Sequence, residues 1–186
     1  MTLKNKTKRI CVFCGSRSGN KSIYLEDAKL LGRKLAERGI PLVYGGANTG
    51  IMGAVANEVL KSNGEVIGVY PDCLSSHEKA HSGLSELIHV KTMHERKQKM
   101  FDLSDAFLVL PGGFGTLDEA FEMITWRQIK TSSKPVIFLN SGGFFDAVLT
   151  HIERMLRDEF LYAGPNEFFQ TTQTVERALE IALANS

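Results

Sequence analysis

Five short, mostly apolar runs, residues 10–14, 41–44, 65–70, 106–110 and 135–139, alternate with stretches of helical spacing, and turns of glycine, proline or small polar residues close them. A run that is apolar on both of its faces has to be covered on both sides. Strands of that kind belong to parallel sheets, whose crossover helices supply the cover. The pattern therefore predicts a doubly wound, Rossmann-like α/β fold: a mainly parallel sheet with helices on both faces, joined by right-handed crossovers. Helices are expected over 22–38, after the 45–53 turn to about 62, and over 93–104, 116–130, 144–158 and from 174. A short edge strand is expected at 86–90 and a last strand near 168–171.

A length of 186 residues fits a single nucleotide-binding domain, 1–186, with residues 1–8 expected to be a flexible tail. Lys and Arg number 22 against 21 Asp and Glu, a net charge of +1, which gives no electrostatic case for nucleic acid or an anionic membrane. No apolar run reaches transmembrane length, and the basic first residues carry no apolar stretch of signal-peptide length, so a cytoplasmic location is expected. Three cysteines are an odd number and fit reduced thiols. Cys11-Val-Phe-Cys14 spells C-x-x-C, but residues three apart on a strand point to opposite faces, whereas a redox pair needs its sulfurs together.

In doubly wound sheets ligands bind beyond the carboxyl ends of the strands, where the turns 15–20, 45–53 and 111–115 fall. None of them spells G-x-G-x-x-G or a Walker loop. Gly45, Gly46, Gly50 and Gly53 offer amides to one phosphate, or else serve turns and tight helix packing. The turn in Leu110-Pro-Gly-Gly-Phe-Gly-Thr-Leu-Asp-Glu119 is the stronger anion site, because its glycines let backbone approach a ligand at a helix N-terminus. Two readings of its end stay open. Thr116-Leu-Asp-Glu119 is a capping box by pattern; equally, with Arg96-Lys97 opening the preceding helix and Glu122 one turn on, Glu119 is a candidate for chemistry. His77-Glu-Lys-Ala-His81 matches the zinc-protease signature, yet it lies between serines with no apolar helix around it, so a metal is not expected.

Met93-His-Glu-Arg-Lys-Gln-Lys-Met100, the 110–119 motif, Ile124-Thr-Trp126, Lys134-Pro-Val136, Cys14-Gly-Ser16 and Gly50-Ile-Met-Gly53 together resemble the LONELY GUY family of cytokinin riboside 5′-monophosphate phosphoribohydrolases, a superfamily often labelled lysine decarboxylase. No pyridoxal-binding pattern accompanies it, and no cofactor is expected. The resemblance implies hydrolysis of the N-glycosidic bond of purine nucleoside 5′-monophosphates, AMP or N6-modified relatives, to free base and ribose 5-phosphate. It implies Arg96 and Glu119 as the catalytic pair. Substrate contacts are implied at Gly112, Gly113, Phe114, Gly115, Thr116, Leu117 and Asp118, and at Ser16, Gly45, Gly46, Glu78, Lys97 and Thr125. It also implies a homodimer, and Phe121 and Trp126 fit its apolar surface or the core equally. Two departures stand out: Asp118 replaces the more common Glu, and the run 75–81 differs from the usual one. The competing expectation is a nucleotide or molybdenum-cofactor binding protein without catalysis on the same fold.

Overall fold

The computed structural model describes residues 7–74 and 79–184. Its strands are β1 (Ile10–Phe13), β2 (Leu42–Tyr44), β3 (Val66–Pro71), β4 (Glu86–Val90), β5 (Ala106–Val109), β6 (Val136–Leu139) and β7 (Gln170–Thr172). They form one sheet in the order β4-β3-β2-β1-β5-β6-β7. Every pairing is parallel, as runs apolar on both faces require. β4, at one edge, carries Glu86 and His89 into solvent. The helices are α1 (Ser22–Glu37), α2 (Gly50–Lys61), α3 (Met93–Leu103), α4 (Phe114–Gln128), α5 (Asp146–Arg157) and α6 (Val175–Ala184). No described helix is long and apolar enough to cross a membrane.

Alternate residues of β1 enter separate cores. Ile10, Val12 and Cys14 pack with α1, α2 and α6, while Cys11 and Phe13 pack with α3, α4 and α5. The two thiols thus lie on opposite faces of the sheet, and burial pushes the pKa of both up, so neither is a ready nucleophile. On the second face aromatic rings hold the helices in place. Phe13 stacks on Phe107 at 5.6 Å, Phe107 on Phe101 at 5.9 Å, and Trp126 meets Phe101 edge-on at 4.7 Å. This column fixes α3 and α4 against β1 and β5; removing the Phe107 ring from it would cost about 3–5 kcal/mol.

Four boundaries differ from expectation. α2 starts at Gly50 and α4 at Phe114, both ahead of the apolar residues that announced them. α5 starts at Asp146 after a separate 3-10 turn, Ser141–Gly143, and β7 is Gln170–Thr172. Trp126 is half-buried against Phe101, so it belongs to the core, whereas Phe121 is exposed.

Candidate active site

The order of strands reverses between β1 and β5, the position at which a doubly wound sheet opens a crevice. Two turns meet there, backbone to backbone. The Gly15 N–H donates to Pro111 O at 3.0 Å, and a Cβ on Gly112 would lie 2.8 Å from Gly15 N and run into Thr116 Oγ1. Only glycine at 112 lets the turns close.

α4 begins at Phe114 with Gly113 as its N-cap, which has no side chain to offer. Its first intrahelical bond runs from Leu117 N–H to Gly113 O at 3.2 Å, so the amides of Phe114, Gly115 and Thr116 come before the ladder and remain for a ligand. The capping-box reading of Thr116 and Glu119 is thereby overturned: Thr116 is already in the third helical position, where its side chain caps nothing. A side-chain cap does exist one helix earlier, at the N-cap Thr92 of α3. Thr92 Oγ1 accepts from Glu95 N–H at 3.1 Å, and Glu95 Oε2 accepts from Lys91 N–H at 2.8 Å.

Relieved of capping, Glu119 turns inward and meets Arg96 from α3. Arg96 is 8% exposed and Glu119 6%. Nη1 and Oε1 stand 3.5 Å apart, close enough for Coulomb attraction but without hydrogen-bond geometry, and Arg96 Nε and Glu119 Oε1 have no hydrogen-bond partner. Buried polar atoms left unpaired in this way cost about 1–3 kcal/mol each. Burial pushes the Glu119 pKa up, against the pull of Arg96, to about 7. Its titration is thereby moved out of the acid range toward neutral pH.

Gly45, at the end of β2, is what seats the arginine. A Cβ there would collide with Arg96 Nη2 and lie 3.1 Å from Met52 Sδ. The amides around Gly50 are otherwise engaged, because Ile51 and Met52 N–H donate to Gly15 O at 3.1 and 3.3 Å and Gly53 N–H to Thr49 O at 2.9 Å. The turn is therefore tightly packed, and the amides of Ile51, Met52 and Gly53 are not available to a phosphate. Gly46 carries the other wall: its carbonyl accepts from His81 N–H at 2.9 Å.

Lys97 lies beside the pair, 3.1 Å from Asp118 and 3.3 Å from Glu122. Burial pulls its pKa down, but hydrogen bonds to these carboxylates outweigh that and leave it raised. In front of the α4 N-terminus is a pocket of 220 Å³ lined by Gly112 and Gly113 together with Ser16, Arg17, Tyr24 and Phe144. Ser16, one of the implied substrate contacts, lines it. Arg17, Tyr24 and Phe144 were not legible as site residues, because each comes from a different element of the sequence and only the fold brings them to one place.

A family model described as possible lysine decarboxylase matches residues 52–182. The cytokinin riboside 5′-monophosphate phosphoribohydrolase LOG2 of Arabidopsis thaliana is 40% identical over 178 residues, 96% of this chain and 84% of the relative. LOG1 of the same plant is 44% identical over 161 residues, 87% of this chain and 76% of its own length. The chain belongs to the LONELY GUY family. Among solved structures, the molybdenum cofactor binding protein of Rippkaea orientalis superposes with a TM-score of 0.74 over 97% of this chain and 98% of the other, at 22% identity; that likeness extends to the fold.

Of the residues that the LONELY GUY resemblance singled out, one chain gathers Arg96, Lys97, Gly112 to Glu119, Ser16 and the Gly45-Gly46 wall. Phe114 is 94% exposed and leaves the opening clear. Thr125 is not brought to Glu119: its hydroxyl donates to Phe121 O at 2.7 Å, and it lines a separate groove between α4 and α5. Glu78 and His77 fall outside the described residues. His81 is buried with both ring nitrogens engaged, Nδ1 accepting from Gly83 N–H at 3.0 Å and Nε2 3.2 Å from Asn57 Oδ1. The Nδ1 bond makes Nε2 the protonated nitrogen, so metal ligation by His81 would break this network. Burial lowers its pKa and keeps it neutral.

Proposed function

We propose that the chain hydrolyses the N-glycosidic bond of purine nucleoside 5′-monophosphates, with Arg96 and Glu119 as the catalytic pair. The observation that carries the reading is the buried Arg96–Glu119 pair, held next to unbonded helix amides with a polar atom on each side chain unpaired. A structural ion pair would be hydrogen-bonded. Two orphan atoms beside an anion site fit groups kept for a substrate.

In this reading the phosphate sits on the amides of Phe114 to Thr116, and the ribose lies over Glu119. The C1′–N9 bond lengthens toward an oxocarbenium-like state, which the Glu119 carboxylate stabilises before accepting a proton from the attacking water. Water oxygen bonds to C1′, and the base leaves with the bonding pair and takes up a proton. Arg96 orients the substrate and keeps a useful fraction of Glu119 ionised. Lys97 neutralises Asp118 and Glu122, which would otherwise suppress that ionisation.

Thr125 joins the substrate only if a second copy supplies it, which gives the homodimer a function; a mass from light scattering tests that assembly. AMP and N6-prenylated analogues are the substrates to compare, since a small apolar addition changes kcat/KM by only ~10–200-fold in a hydrophobic pocket. A cytoplasmic location completes the reading. The deciding experiment is chromatography of AMP incubated with the protein: free adenine with equimolar ribose 5-phosphate supports hydrolysis, and binding without release points to a carrier.

A further inference from the structure

We infer that Arg17 is a second anchor for the substrate phosphate, facing the α4 amides across the pocket and selecting a terminal, dianionic phosphate. The inference rests on the nucleotide reading above.

Arg17 is exposed, and its guanidinium makes no hydrogen bond or ion pair among the described residues. Lys21, four residues on, has a partner, donating to Gly142 O at 3.5 Å. The backbone that carries it is held on two sides. Gly15, two positions earlier, donates to Pro111 O at 3.0 Å and accepts from Ile51 and Met52 N–H at 3.1 and 3.3 Å. Only the side chain is left to move.

It lines the same 220 Å³ pocket as Gly112 and Gly113, and among the described residues it is the only charged one lining it, with no carboxylate opposing it there. The far wall is aromatic, with Tyr24 and Phe144 edge to face at 5.6 Å and 78°. Such a wall sheds water and strengthens the attraction between a cation and an anion. A guanidinium on one side and helix amides on the other match the tetrahedral oxygens of a terminal phosphate, two of which arginine can take at once. Neither the Leu110–Glu119 motif nor the paired Arg96-Lys97 includes this residue.

The test compares the full-length wild type with Arg17→Ala and Arg17→Lys by calorimetric titration with AMP, ribose 5-phosphate and adenosine. Arg17→Ala should weaken AMP and ribose 5-phosphate by about 10- to 100-fold, the range for losing a charge-assisted hydrogen-bonded pair. Adenosine binding should stay unchanged, Arg17→Lys should recover part of the loss, and the melting temperature should not move, since the exposed side chain holds no hydrogen bond or ion pair among the described residues. In turnover the loss should fall mainly on KM. Unchanged phosphate affinity, or an equal loss for adenosine and AMP, overturns the inference. The titrations need no base release, so a protein that binds AMP through Arg17 without cleaving it would sink the hydrolase reading and leave this anchor standing.

Discussion

Glu119 Oε1 stands 3.5 Å from Arg96 Nη1 with no hydrogen bond between them, in a place where neither side chain is more than 9% exposed. The pair is arranged for something that comes between or beside it.

Glu119→Gln should lower AMP hydrolysis by two orders of magnitude or more, the scale of losing one preorganised electrostatic group. Because Glu119 does not cap α4, the variant should keep the fold and its AMP affinity. Turnover close to wild type would remove Glu119 from the chemistry.

The pH profile follows from the same carboxylate. If the ionised form works, kcat/KM rises with pH and levels off above about 7. Stability runs the other way. The folded-state pKa is raised above the ordinary 4.5, so the contribution is complete below 4.5 and is lost as pH climbs through about 7. At ~1.4 kcal/mol per unit of pH, that loss is on the order of 3 kcal/mol. Melting curves of wild type and Glu119→Gln should therefore diverge between pH 5 and pH 8, and parallel curves would refute the assignment.

Lys97→Met removes the cation that opposes Asp118 and Glu122. Lys97 holds the Glu119 pKa down, so the rising limb of the activity profile should move to higher pH. A limb that stays where it is would show that Lys97 acts on the substrate alone.

Gly45→Ala puts a methyl group where the Arg96 guanidinium lies. The expected result is a loss of activity on the order of 10²-fold, as for a misplacement of about 1 Å in a catalytic group. Circular dichroism should show the secondary structure intact. Full activity would mean that Arg96 has another seat.

Thr92→Ala tests which helix is capped by its threonine. It should cost about 1 kcal/mol, a fall of roughly 2–4 °C in melting temperature. A larger loss from Thr116→Ala through capping is not expected, and denaturant melts of the two variants separate the cases.

The sheet was legible because its strands advertise it: residues 106–109 and 136–139 have no polar residue on either face, and only a parallel strand between two helix layers tolerates that. The start of α4 was not, since Thr-x-x-Glu reads the same as a cap or one turn further in. Gly113 decides between them through backbone geometry that sequence does not print. Gly45 was legible as a turn residue but not as the seat of Arg96, a neighbour far along the chain. Arg17 gave no signal at all, because an unpaired surface cation becomes informative only when the pocket beside it is visible.

Gly15 bonds with one peptide group to the turn after β5 and with the other to the first turn of α2. The anion cradle therefore needs β5 paired beside β1. A chain paired only from β1 through β4 has the α2 contact but no Pro111 to receive the amide, and hence no anion cradle. Ligand affinity then reports on sheet completion, and the mass-action stabilisation that a nucleotide confers, RT ln(1 + [L]/Kd), reaches only molecules in which β5 has docked on β1.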